Sequence, residues 1–143
     1  MNNIAIFQPM FVVALLTVVV TLRMYFTRVS AMKKFRIHPQ KAQDTTKLKD
    51  LLPEEVNRVS NNYNHLFEQP TLFYVVVLSI ATLGHVDSVY VICAWAYAII
   101  RIAHSIIQIT IDKVIVRFML FILSWLVLAT MIIRESIMLF FTI

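Results

Sequence analysis

VYVICAWAYAIIRIAHSIIQITI, residues 89–111, is an apolar run of bilayer-spanning length with an arginine at its centre. A guanidinium stays charged at ordinary pH, so Arg101 at membrane depth requires an anionic partner or a wet cavity. His104 and Gln108 follow at helical spacing, and Tyr97 lies one turn before Arg101. The run therefore reads as a membrane helix with one polar stripe.

The rest of the chain agrees. Of 143 residues, 59% are hydrophobic and 15% charged, where a soluble domain keeps roughly a quarter charged. One glycine and four prolines leave little material for the many turns of a barrel, so the expected class is all-α. Apolar run length predicts four spans, at about residues 4–25, 62–83, 88–111 and 114–141, in a single domain covering residues 1–143. Pro9 falls near the start of the first, where a missing amide hydrogen costs least. That span is too long for a signal peptide and has no basic residue ahead of it, so it is expected to be retained. The connections at residues 84–87 and 112–113 are short, which makes spans two, three and four antiparallel neighbours.

Eight of the thirteen Lys and Arg residues lie in the segment 27–60, read as a loop. Positive-inside bias and attraction to anionic headgroups account for this without a nucleic acid. The basic loops are then cytoplasmic and both termini outside. Within the loop, Pro53-Glu54-Glu55 has the form of a helix start, so span two is expected to begin as a cytoplasmic helix near Pro53. Cys93 is alone, so no intrachain disulfide forms, and it reads as a structural thiol. No Cys-x-x-Cys, His-x-x-x-His or Gly-rich phosphate loop is present, which argues against a dedicated metal or nucleotide site.

The polar residues converge. Asn61, His65 and Glu68 share one face at the cytoplasmic end of span two, with Asn64 at its border. Span three returns with Arg101, His104 and Gln108, and span four begins with Lys113 and Arg117. All fall in the same half of the bilayer, forming a cationic pocket suited to a water-soluble anion beside a lipid-soluble ligand. Two readings of Glu68 and Arg101 stay open: a register-fixing ion pair, or part of a ligand site. Lys113 and Arg117 also read as interfacial cations snorkelling from a helix end, and His104 as an interhelical hydrogen bonder. Arg134 and Glu135 read as a boundary anchor, and His85 and Asp87 as turn residues.

The stretch Arg101-Ile-Ala-His104-Ser105, followed by Lys113 and Arg117, resembles the membrane-associated proteins in eicosanoid and glutathione metabolism. Lys33-Lys34-Phe35 with Pro39 and Ala42 is similar to the first cytoplasmic loop of that family's prostaglandin E synthase branch. Residues 61–73, with Glu68 ahead of Leu72-Phe73, are similar to the entry into span two, in wording like that of bacterial members.

The resemblance implies a four-helix bundle assembled as a homotrimer, here in a bacterial inner membrane, with glutathione as co-substrate bound between subunits near the cytoplasmic face. It implies that Arg117 stabilises the glutathione thiolate and that Glu68 meets its amino group or an arginine. Arg101 and His104 would line the site, with Arg23 or Arg28 reaching the peptide carboxylates, and a hydrophobic electrophile would arrive through the lipid. The chain departs from the family pattern in having Gln108 at a usual tyrosine position, and Asn61 and His65 where an arginine and an asparagine are common. Three function classes follow: a glutathione transferase or peroxidase, a non-catalytic lipid- or partner-binding protein, and a proton-coupled transporter using Glu68 and His104.

Overall fold

A computed structural model describes residues 2–142. Among these, six α-helices form: α1 (Ile4–Lys34), α2 (Thr45–Leu51), α3 (Glu54–Leu66), α4 (Gln69–Thr82), α5 (Ser88–Ile109) and α6 (Val114–Phe141). A short 3-10 turn, Pro39–Gln43, precedes α2. Three of the helices, α1, α5 and α6, are long and apolar enough to cross a membrane.

The expected second span is not one helix. α3 ends at Leu66 and α4 starts at Gln69, with Glu68 between them at φ −90°, ψ −99°. Pro70 is the cause: it has no amide hydrogen for the Leu66 carbonyl, and its ring would clash with that carbonyl in a continuous helix. The exposed groups are satisfied locally. The Phe67 and Glu68 amides donate to Asn64 and His65 carbonyls at 3.1 and 3.3 Å, and the Thr71 hydroxyl donates to the Phe67 carbonyl at 2.9 Å. α4 alone has 14 residues, a length of about 21 Å, short of the roughly 30 Å hydrocarbon core. The helix start expected near Pro53 is present, with Pro53 as the N-cap of α3.

The first span is longer than its apolar core. α1 continues through Pro9 and past residue 25 to Lys34, so residues 27–34 belong to a helix and 54–60 to α3. Only residues 35–53 form the connection, and they fold back: Leu48 and Leu52 pack with Ala31 in a small core against the end of α1. At the other end of the bundle, Gly84 terminates α4 at φ +76°, while the His85 amide donates to the Ile80 carbonyl at 3.0 Å. That left-handed position favours the residue without a Cβ.

The main core lies between α1, α4, α5 and α6. Ile6, Val13, Phe73, Val77, Ile80, Leu128 and Met131 are completely buried there, together with one face of α5. That face comprises Tyr90, Ala94, Tyr97, Arg101, His104 and Gln108, all buried and alternating spacings of four and three. Ala94 and Ala98 let neighbouring helices approach closely. The opposite faces of α1 and α6, including Phe11, Val19, Ile115, Met119 and Phe140, are exposed apolar surface, as lipid contact demands.

Candidate functional site

A cleft of about 240 Å³ lies where α3, α5 and the start of α6 meet, walled by His65, Arg101, His104, Arg117, Val114, Phe118 and Phe121. Arg101 and His104 reach it from the buried face of α5; His65 comes from the last turn of α3. The imidazoles of His65 and His104 meet edge to face, 6.1 Å between centroids. Arg101 is 1% exposed, and its Nε and Nη2 have no hydrogen-bond partner, nor has His104 Nδ1. Buried guanidinium donors without an acceptor are costly, and an anion in the cleft would satisfy them. On the α6 side, Val114 and Phe118 supply an exposed apolar flank.

Arg117 stands at the mouth with a neighbour that the sequence reading passed over. Its Nη1 donates to Asp112 Oδ1 at 2.6 Å. Asp112 also faces Arg58 Nε of α3 at 3.4 Å, and Arg58 itself reaches Glu54 at 3.2 Å and the Thr110 carbonyl at 3.4 Å. One acidic turn residue thus links α3 to the α5–α6 connection.

The structure gathers four of the expected site residues, His65, Arg101, His104 and Arg117, and leaves the others elsewhere. Glu68 does not pair with Arg101. It sits in the α3–α4 break, exposed, with Oε2 3.2 Å from His65 Nδ1, because the break turns it off the face that Asn61 and His65 occupy. Asn61 is half-buried and Asn64 exposed on α3. Gln108 is fully buried with neither amide atom partnered, and it does not line the cleft. Lys113 is exposed at the N-cap of α6. Arg28 donates to Ser60 Oγ at 2.8 Å. Arg23 lines a different cleft, of about 300 Å³, with Thr27, Glu55, Arg58 and Thr110.

Two polar hubs escaped the sequence reading. Asn62, completely buried, accepts from Ser105 Oγ at 3.0 Å, and Gln69 Oε1 accepts from Tyr97 at 3.3 Å and Ser124 at 2.9 Å. A signal for Asn62 existed: Val59 and Leu66 flank it at helical spacing and mark its face as the buried one. At the far end of the bundle, Glu135 is buried and takes the Tyr90 hydroxyl at 2.8 Å and His85 Nδ1 at 2.7 Å. Asp87 pairs there with Arg134 and caps α5 by accepting from the Tyr90 amide at 3.0 Å. Arg134 in turn lies over the Tyr90 ring, 4.3 Å from its centroid. The hydrogen bond from Arg134 lowers the Asp87 carboxyl from its usual range to about 2. These contacts close the α4–α5 turn onto α6, a structural role that fits the boundary position of Arg134 and Glu135.

Compared with known families, residues 6–135 match the model of the MAPEG family. No curated protein and no solved structure matches the chain.

Proposed function

Because the chain belongs to the MAPEG family, and is thereby an integral membrane protein, we propose that it is a glutathione-dependent transferase or peroxidase acting on hydrophobic electrophiles. The observation that carries this reading is the cleft itself. It joins two guanidiniums and two imidazoles, one guanidinium buried with free donors, to an apolar flank facing the lipid side. An anionic thiol and a lipophilic partner are the ligand pair such a wall suits.

Arg117 is assigned the chemical role. A fixed cation beside a thiol lowers its pKa, and the thiolate is the nucleophile. The thiolate attacks an electrophilic carbon and expels a leaving group, or attacks a peroxide oxygen and breaks the O–O bond. Peroxide cleavage releases an alcohol and leaves a sulfenic acid that a second glutathione converts to disulfide and water. Arg101 and His104 hold the peptide's anionic groups, and Glu68, which pairs with the cleft residue His65, is assigned to the ammonium. Asn61, Asn64, Lys113, Arg23 and Arg28 are assigned to outer contacts, while Gln108 acts from behind the wall.

The cleft in one chain is smaller than the roughly 300–1,000 Å³ that encloses a small molecule. That favours a site completed by a neighbouring copy, as in a homotrimer. With α3 and α4 together counted as one crossing, the basic loops favour a cytoplasmic site with both termini outside, and the resemblance to bacterial members favours a bacterial inner membrane. Purified protein should conjugate glutathione to a lipophilic electrophile or reduce a lipid peroxide with it, and Arg117→Ala should strongly reduce that rate. Absence of glutathione binding, seen as no heat protection at millimolar concentration, would sink the reading.

A second reading has its own observation. Arg117 is already paired to Asp112, as in a non-catalytic protein that keeps the fold and binds lipid or a partner. In that case Arg117→Ala lowers stability and changes no glutathione-dependent rate.

A further inference from the structure

We propose that Asp112 is the chain's own counter-ion for Arg117, and that an anionic ligand enters the cleft by displacing it. This rests on the reading of Arg117 as the ligand's cation. The assignment comes from how Asp112 is held. It has φ +46°, a left-handed backbone uncommon for a residue with a side chain, though aspartate tolerates it better than most. Its amide is fixed by a 2.8 Å bond to the Ile107 carbonyl. This turn sets the carboxylate between α3 and α6, partly shielded, at 19% side-chain exposure.

The two arginines are not equal partners. Arg117 makes a direct 2.6 Å hydrogen bond to Oδ1. Arg58 lies 3.4 Å from Oδ2, and its Nε is without a hydrogen-bond partner. Arg58 also has Glu54 and the Thr110 carbonyl, so it does not depend on Asp112. The neighbouring Lys113 is exposed and forms no ion pair among the described residues. Of its two arginines, Asp112 therefore serves chiefly Arg117, the one that lines the cleft.

A consequence for specificity follows. Behind Arg117, Arg101 has two donors without an acceptor. A ligand with one negative group gains Arg117 only by replacing a carboxylate that already serves it. A ligand with two negative groups gains Arg101 as well, for the same displacement. The cleft then favours multiply charged anions, a thiol bearing carboxylates among them, over a simple monothiol.

The test is the accessibility of Arg117 to phenylglyoxal, followed by peptide mass mapping of the full chain in detergent micelles. Arg117 in Asp112→Asn should be labelled roughly fivefold faster than in wild type, the ratio expected when a pairing of modest strength is lost. Exposed Arg23 should label equally in both, and Asp112→Glu should stay near wild type. Inorganic sulfate should protect Arg117 at lower concentration in Asp112→Asn. Equal labelling of Arg117 in wild type and Asp112→Asn would overturn the proposal. So would faster labelling in Arg58→Gln, since Asp112 would then be a staple between helices; this variant also serves if Asp112→Asn does not fold. If glutathione protects neither protein while the labelling and sulfate contrasts hold, the glutathione reading falls and the counter-ion role stands.

Discussion

Tyr97 donates its hydroxyl to Gln69 Oε1 at 3.3 Å, fixing the first residue of α4 against the middle of α5. Ser124 of α6 shares the same oxygen at 2.9 Å, but its hydroxyl also has the Phe121 carbonyl at 2.7 Å. Tyr97 has no such alternative among the described residues. Gln69→Leu should therefore cost about 1–3 kcal/mol, because a buried phenol is left unpaired. Ser124→Ala should cost about 0.6 kcal/mol, near the average for side-chain hydrogen bonds between membrane helices. Unfolding of both variants in mixed micelles checks the order; equal losses would contradict it.

Replacing Pro70 restores the amide that the Leu66 carbonyl lacks and removes the ring that blocks it. In Pro70→Ala, α3 and α4 are expected to join, and hydrogen exchange across residues 67–71 should slow markedly. In the same variant Glu68 should return to the face of Asn61 and His65, toward the cleft. Unchanged exchange would mean that packing of Gln69, rather than Pro70, enforces the break.

Arg101 is buried without an acceptor for two of its donors, a cost the free protein bears. Arg101→Met should raise thermal stability in the absence of ligand by on the order of 1 kcal/mol. The same change should abolish heat protection by glutathione. A loss of ligand-free stability would show that Arg101 is satisfied within the bundle.

Asp87 supplies the acid dependence. Its pKa is lowered from 3.8 to about 2 when folded, first through the hydrogen bond from Arg134. Folding therefore gains from Asp87 above 3.8, and the gain is lost as pH falls from there through about 2. The carboxylate is 39% exposed, so solvent screening keeps the gain small. The wild type should lose stability across this window, and Asp87→Asn should be less stable at neutral pH with a flatter acid limb. Parallel acid limbs for the two proteins would refute the assignment.

Much of this molecule is legible in its residues, because membrane spans announce themselves by length and composition. α1, α5 and α6 follow from run length, and the α5 stripe from its spacing. His65, Arg101, His104 and Arg117 were placed together by topology alone, and the structure assembles them. A helical wheel puts Glu68 on the face of Asn61 and His65 because it assumes an unbroken helix, and Pro70 breaks it. The pairing of Asp112 with Arg117 and Arg58 is not legible in the sequence, because ion pairing depends on side-chain reach across helices, which spacing along one helix does not encode. The same holds for His85 with Glu135, fifty residues apart.

The buried face of α5, with its spacings of four and three from Tyr90 to Gln108, carries a consequence for how such a chain can change over time. Each residue added to a helix rotates everything beyond it by about 100°. One insertion between Tyr97 and Arg101 would swing the guanidinium, His104 and Gln108 out toward hydrocarbon together, while the Tyr90 half kept its place. Side chains along this helix can be exchanged one at a time, but its length between residues 90 and 108 cannot. Descendants of this sequence should accept a single substitution there more readily than a gap.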